Sequence, residues 1–150
     1  LAVMRPHGLV LDFGCGTGRA SIELVKAGCD VLLSDFRDNC RDEEAMNLPF
    51  LEWDLTRPLP PHAEFGICTD VMEHIPTSDV STVLRNITDA ADNVFFQIST
   101  VDDDMGVMIG HALHLTVKPH EWWREQLQAV GEVTFDRDLG SASIFLVRQA

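Results

Sequence analysis

The chain of 150 residues is 45% apolar and 23% charged, the make-up of one globular domain able to bury its own core. Its net charge of −13 and its scarcity of lysine (Lys26 and Lys118) disfavour a broad contact with nucleic-acid phosphates, which needs clustered Lys and Arg. No apolar run reaches the length of a membrane span and no charged-then-apolar leader opens the chain, so a cytoplasmic protein without membrane contact is expected. Cys15, Cys29, Cys40 and Cys68 form no C-x-x-C pair, which indicates neither a zinc site nor a redox motif and suits a reducing compartment.

In chain order, the first informative stretch is Leu9-Val10-Leu11-Asp12-Phe13-Gly14-Cys15-Gly16-Thr17-Gly18. Val10 and Leu11 predict the end of a buried parallel strand, since no polar residue interrupts the run. Arg19 to Gly28 reads as a helix with Ile22, Leu24 and Val25 on its apolar side and Gly28 as its terminator. Glycine permits a sharp turn and a close ligand approach, and the helix start adds a positive dipole end. Strand, glycine loop and helix predict a nucleotide-binding turn. The dinucleotide fingerprint spaces its glycines G-x-G-x-x-G, whereas here the third comes one residue early and Asp12 stands two residues before the first. An acid there repels a pyrophosphate but suits an ammonium group. Asp35 closes the next strand, Asp30 to Asp35, where a carboxylate can hold both hydroxyls of a ribose. An adenosine joined to an amino acid meets both demands.

At these residues the chain resembles the class I S-adenosylmethionine (SAM)-dependent methyltransferases. The resemblance implies a single domain over residues 1–150 with an α/β, Rossmann-like class I methyltransferase fold. Its sheet would have about seven mostly parallel strands, a C-terminal antiparallel hairpin and helices on both faces. It also implies SAM as cofactor, its methionine part over Gly14, Cys15, Gly16 and Gly18, its ribose on Asp35 and its adenine near Asp54. Cys15 is expected to present its backbone. In this family an N-terminal segment often closes over the cofactor, and residues 1–8 are too short to do so.

Farther on, Phe36 follows the ribose acid and can lie against the adenine, serve as a surface aromatic or fill the core. The polar run Phe36 to Asn47 predicts a loop with at most a short helix. Leu48 to Leu55 reads as a short strand and its exit. Asp54 and Leu55 match the family's adenine-binding acid and covering apolar residue, while Asp54 as a plain turn residue before Thr56-Arg57-Pro58 is the competing reading. Pro58, Pro60 and Pro61 predict a stiff non-helical connection.

Ala63 to Asp70 predicts the fourth strand, and Asp70-Val71-Met72-Glu73-His74-Ile75-Pro76 resembles the D-V-x-E-H-I-P segment of many class I methyltransferases. By that resemblance Thr69, Asp70 and Val71 border the methionine end of SAM and the acceptor pocket. Glu73 and His74 are then the candidate catalytic pair, with His74 able to accept a proton from the acceptor or merely to pack in the turn. Thr77-Ser78-Asp79 is expected to cap a helix whose Val80, Val83, Leu84 and Ile87 recur at helical spacing. Asn93 to Thr100 predicts a central strand.

Val101 to Leu115 is the least regular stretch and is expected to supply acceptor specificity through His111 and His114. Asp102, Asp103 and Asp104 read as an exposed acidic loop. His111 and His114 with one of those aspartates could ligate a metal, but no third ligand stands at a recognisable spacing, so no metal is expected. A helix opening near Pro119 and ending at Gly131 carries Trp122 and Trp123 about 100° apart, one toward the sheet and Trp122 a candidate for the pocket mouth. Glu132 to Asp136 alternates apolar and polar residues, and Ser143 to Val147 completes the hairpin.

A small-molecule acceptor with an oxygen or nitrogen nucleophile is the expected partner. The Asn-Pro-Pro-Tyr type motif of many DNA and protein-glutamine methyltransferases is replaced by Thr69-Asp70-Val71-Met72. The alternatives are a SAM-binding protein without transferase activity and, less favoured, an NAD-dependent oxidoreductase. Nothing in the sequence separates monomer from homodimer.

Overall fold

A computed structural model describes residues 8–59 and 61–150; the expectations for the N-terminal segment and for Pro60 lie outside them. Five strands run parallel: β1 (Leu9–Phe13), β2 (Asp30–Asp35), β3 (Phe50–Glu52), β4 (Ala63–Thr69) and β5 (Ala91–Ser99). A hairpin of β6 (Gly131–Asp138) and β7 (Ala142–Gln149) joins antiparallel, giving the sheet order β3-β2-β1-β4-β5-β7-β6. The order reverses between β1 and β4, and the crevice at the C-terminal ends of those two strands is where an open α/β sheet receives its ligand.

Adjacent residues of a strand point to opposite faces, and here both faces are covered. Val10, Val31, Leu33, Phe65 and Ile67 pack with Leu24 of α1 (Arg19–Lys26). Leu11, Phe13, Phe96, Phe145 and Val147 pack on the other face with Val83, Leu84 and Ile87 of α2 (Val80–Ala90) and with Trp123 and Leu127 of a last helix, His120–Gln128. Between them lies a short helix, α3 (Asp104–Ile109), so the last helix is α4. No helix among the described residues is long and apolar enough to cross a membrane.

Several local expectations are corrected. Val25 is 42% exposed, because α1 turns Ser21 and Leu24 toward the sheet and Ser21 reaches Asp12 below it. No side chain caps α2: Ser78 donates to Asp79, and the Thr77 hydroxyl pairs with that of Thr116. Gly131 does not end α4, which stops at Gln128; it starts β6, where a Cβ would lie 2.6 Å from the Arg148 carbonyl oxygen. A register shift between Val133 and Phe135 breaks the alternation of β6, placing Asp136 opposite the buried Phe145 and Phe135 opposite Leu146. Asp136 thereby meets His120 and Arg124 of α4.

Candidate active site

The glycine loop is built largely from its own backbone. The Gly14 and Cys15 amides donate to the Ser34 carbonyl at 2.8 and 3.0 Å, and the Gly18 amide to Cys15 at 2.8 Å. Gly14 is required twice over: its φ is +72°, and a Cβ would lie 2.6 Å from Cγ2 of Val71. Gly18, with φ +80°, meets Ala45 in the same way at 2.6 Å. These three amides are engaged inside the protein and are not free to a ligand over the loop.

Asp12 lies beneath the loop and is 1% exposed; its Oδ2 accepts a 2.6 Å hydrogen bond from the Ser21 hydroxyl. Burial pushes its carboxyl up to about 6 against the lowering effect of Ser21, with Asp35 raising it further. Cys15 is pushed up to about 12 by burial and by the same two carboxylates, so its thiol stays neutral and unreactive. The four cysteines form no disulfide.

A cleft of about 350 Å³ opens over the strand tips, lined by Gly14, Gly16, Asp35, Phe36, Trp53 to Thr56, Asp70, Val71, His74 and Ile75. Asp35 holds its wall: Oδ2 accepts from the Gly16 amide at 2.9 Å and Oδ1 from the Phe36 amide at 2.8 Å. Each oxygen keeps a lone pair for a further donor. Phe36 is 68% exposed and borders the cleft, which removes the core-filler reading. Asp54 forms a turn, one carboxylate oxygen accepting from the Thr56 amide and hydroxyl at 2.9 and 2.7 Å, and those bonds hold its carboxyl below the usual range. It lines the cleft all the same, beside the half-buried Leu55. Turn residue and cleft wall are the same residue here.

On the other side of the loop a shallower depression is lined by Gly14 to Thr17, Arg19, Ala20, Thr69, Asp70 and Gln97. Asp70 is the one non-glycine residue with positive φ among the described residues, at 56°. Its amide donates to the Gln97 carbonyl at 2.9 Å, and Gln97 Nε2 donates back to its carboxylate at 3.2 Å. The exchange holds a backbone conformation that costs of order 1 kcal/mol where β4 ends, and such strain concentrates at ligand sites. Gln97 was not distinguishable from sequence, since its partner is 27 residues away.

After Asp70 the chain makes a tight turn, Met72–His74. Glu73 points inward, 1% exposed, with Oε1 accepting weakly from the Ser99 amide at 3.3 Å and Oε2 finding no partner among the described residues. Burial raises its carboxyl. Its carbonyl accepts from the Leu115 and Thr116 amides, which ties the 101–116 stretch to the turn. His74 is exposed, with Nδ1 2.9 Å from the Leu113 carbonyl oxygen, and its ring meets that of His114 edge-on at 5.0 Å.

The acidic loop is more ordered than expected. Asp103 caps α3 by accepting from the Gly106 amide and also accepts from Leu113. His114 Nδ1 sits 2.7 Å from the Val101 carbonyl oxygen. His111 is exposed beyond α3 and shares no metal-type cluster with His114 among the described residues; the cluster that forms is Glu73, His74 and His114. Trp122 packs edge-on against the fully buried Trp123, with the Lys118 ammonium 5.8 Å above its ring, and is not among the residues lining the cleft.

The sequence matches the family described as methyltransferase domain over residues 2–136. A magnesium-protoporphyrin O-methyltransferase from Synechocystis is 34% identical over 97 residues, an alignment that covers 58% of this chain and 42% of that protein. The chain thus spans less than half the length of this curated relative. Among solved structures, the PH0226 protein from Pyrococcus horikoshii superposes with a TM-score of 0.81 at 14% identity, over 99% of this chain and 85% of the other. The magnesium protoporphyrin IX methyltransferase of Synechocystis with bound S-adenosylhomocysteine (SAH) superposes with a TM-score of 0.74 at 22% identity, over 99% and 77%. At those identities the structures establish the fold, and the sequence match establishes the family. The chain belongs to the methyltransferase domain family and has its Rossmann-like class I fold.

Proposed function

We propose that this chain transfers the methyl group of SAM to an oxygen or nitrogen nucleophile of a small molecule in the cytoplasm. The observation that carries the reading is the convergence of Asp35, Phe36, Asp54 and Leu55 on one cleft beside the glycine loop. The residues fit the cofactor: Asp35 has lone pairs for a ribose diol, Phe36 offers an exposed ring face for a base, and Asp54 offers an acceptor for an exocyclic amine. Thr69, Asp70 and Gln97 line the depression on the far side of the loop, suited to an amino-acid end with its ammonium group. Bound there, SAM supplies a methyl group made electrophilic by its sulfonium.

The chain's own residues would hold the reactants in line and exclude water. The Leu113 carbonyl can only accept, so the neutral ring of His74 carries its hydrogen on Nδ1 and a lone pair on Nε2. That lone pair, at the cleft edge, is placed to take the acceptor's proton. The relative's O-methyltransferase activity favours an oxygen acceptor, and the net charge of −13 favours a small molecule over nucleic acid.

Calorimetric titration with SAH tests the cofactor. Micromolar binding weakened at least tenfold in Asp35→Ala, about 1.4 kcal/mol, supports the pose. Absence of binding to folded protein removes the reading. Transfer of labelled methyl from SAM to a panel of hydroxylated and amino acceptors then separates a transferase from a protein that only binds the cofactor.

A further inference from the structure

Glu73, His74 and His114 each offer one ligand atom within 4.8 Å of the other two. Two further observations give this grouping chemical direction. Both imidazoles face a backbone carbonyl through Nδ1, Leu113 for His74 and Val101 for His114. A carbonyl cannot donate, so each ring in its neutral form carries its hydrogen on Nδ1 and its lone pair on Nε2. A carbonyl partner of this kind fixes the tautomer of metal-bound histidines. The second observation is the orphaned Glu73 Oε2, a carboxylate oxygen taken out of water without a hydrogen bond. Leaving such an atom unpaired is costly, and a cation satisfies it.

We propose that Glu73, His74 and His114 form a binding site for a divalent transition-metal ion. Two imidazole nitrogens and one carboxylate oxygen suit zinc, iron or cobalt better than magnesium or calcium, which prefer oxygen donors throughout. Ligand atoms around one tetrahedral zinc at about 2.1 Å stand about 3.4 Å apart, so from separations of up to 4.8 Å the three groups close by up to about 1.4 Å on binding, within reach of the side-chain torsions of the exposed His74. Three protein ligands leave at least one coordination position open. His74 borders the cleft, so an ion here can lower the pKa of an acceptor hydroxyl and replace the proton acceptance that the His74 lone pair otherwise offers. The binding stands by itself; its use on an acceptor rests on the methyl-transfer reading.

The test is to strip the protein with chelator, titrate it with Zn²⁺ by calorimetry and with Co²⁺ by visible absorption, and repeat both with His114→Ala and Glu73→Gln. SAH titration of the same samples reports whether the cofactor cleft is intact. The expected result is one ion per chain, a Co²⁺ d–d spectrum, and affinity reduced at least tenfold in His114→Ala while SAH still binds. No stoichiometric binding, or binding undiminished in His114→Ala, overturns the site. Should Glu73→Gln not fold, His114→Ala alone decides, because His114 is only half-buried. Metal binding in a protein that ignores SAH would support the site and remove the proposed function, so the two failures are distinguishable.

Discussion

Gly14 and Asp12 show how much the site asks of single residues. Gly14→Ala brings a Cβ to 2.6 Å from Val71 at a φ of +72°. Strain and overlap together are expected to cost about 1–3 kcal/mol in urea denaturation and to abolish SAH binding. Asp12 gives a pH signature. Its folded carboxyl titrates at about 6 against 3.8 when unfolded, so between those values the fold holds a proton that the unfolded chain has released. The sign follows: this site's contribution to stability falls as pH rises from about 4 to about 6, by on the order of 3 kcal/mol, and is level above. Asp12→Asn keeps an acceptor for Ser21 and removes the titration. Denaturation free energies should therefore favour the variant progressively over wild type across that window; a difference independent of pH would contradict the buried carboxyl.

At the scale of elements, the stretch between β5 and α4 is held by a few polar bonds and the helices by apolar burial. Asp103 accepts from Gly106 at the start of α3 and from Leu113 beyond it. Asp103→Ala is expected to cost about 1 kcal/mol, as loss of a helix cap does. Hydrogen exchange should then quicken in 104–115 and leave β1 and β4 unchanged. Trp123 is fully buried between α4 and the sheet, and Trp123→Ala is expected to cost about 3–5 kcal/mol in global unfolding. Apart from α3, which falls in the stretch read as irregular, the strands and helices were legible from periodicity: β2 spans the expected residues 30–35, and all four apolar positions proposed for α2 are buried. Helix ends and the inward face of α1 were not. Gly131 carries the composition of a terminator, but pairing with Gln149 across the hairpin, close against the Arg148 carbonyl, decided its role. Ser21 faces inward because Asp12 lies below it, which the pattern of apolar residues in α1 does not express.

For the whole molecule, a net charge of −13 and a pI near 4.6 give a field that repels polyanions at neutral pH. A fluorescence titration with duplex DNA or RNA is expected to show no saturable binding at physiological salt. SAH at about 100 times its dissociation constant is expected to stabilise the fold by about 2.7 kcal/mol, read as a rise in melting temperature.

The sequence by itself determined the strand–loop–helix turn, the parallel sheet with its closing hairpin, and the placement of Asp35, Phe36, Asp54 and Asp70 near strand tips. The turn and those placements depend on residues close together in the chain, where spacing and geometry are nearly the same thing; the sheet, whose strands pair across long stretches of chain, followed from the family resemblance. The tertiary structure alone decided that Asp54 is both turn and wall, that Gln97 holds Asp70, and that Trp122 packs away from the cleft. It also decided that His114 joins Glu73 and His74, which lie about 40 residues earlier, and not His111 three residues before it. The Glu73 carbonyl binding the Leu115 and Thr116 amides brings those segments together, and a bond across such a separation leaves no periodic trace in the sequence.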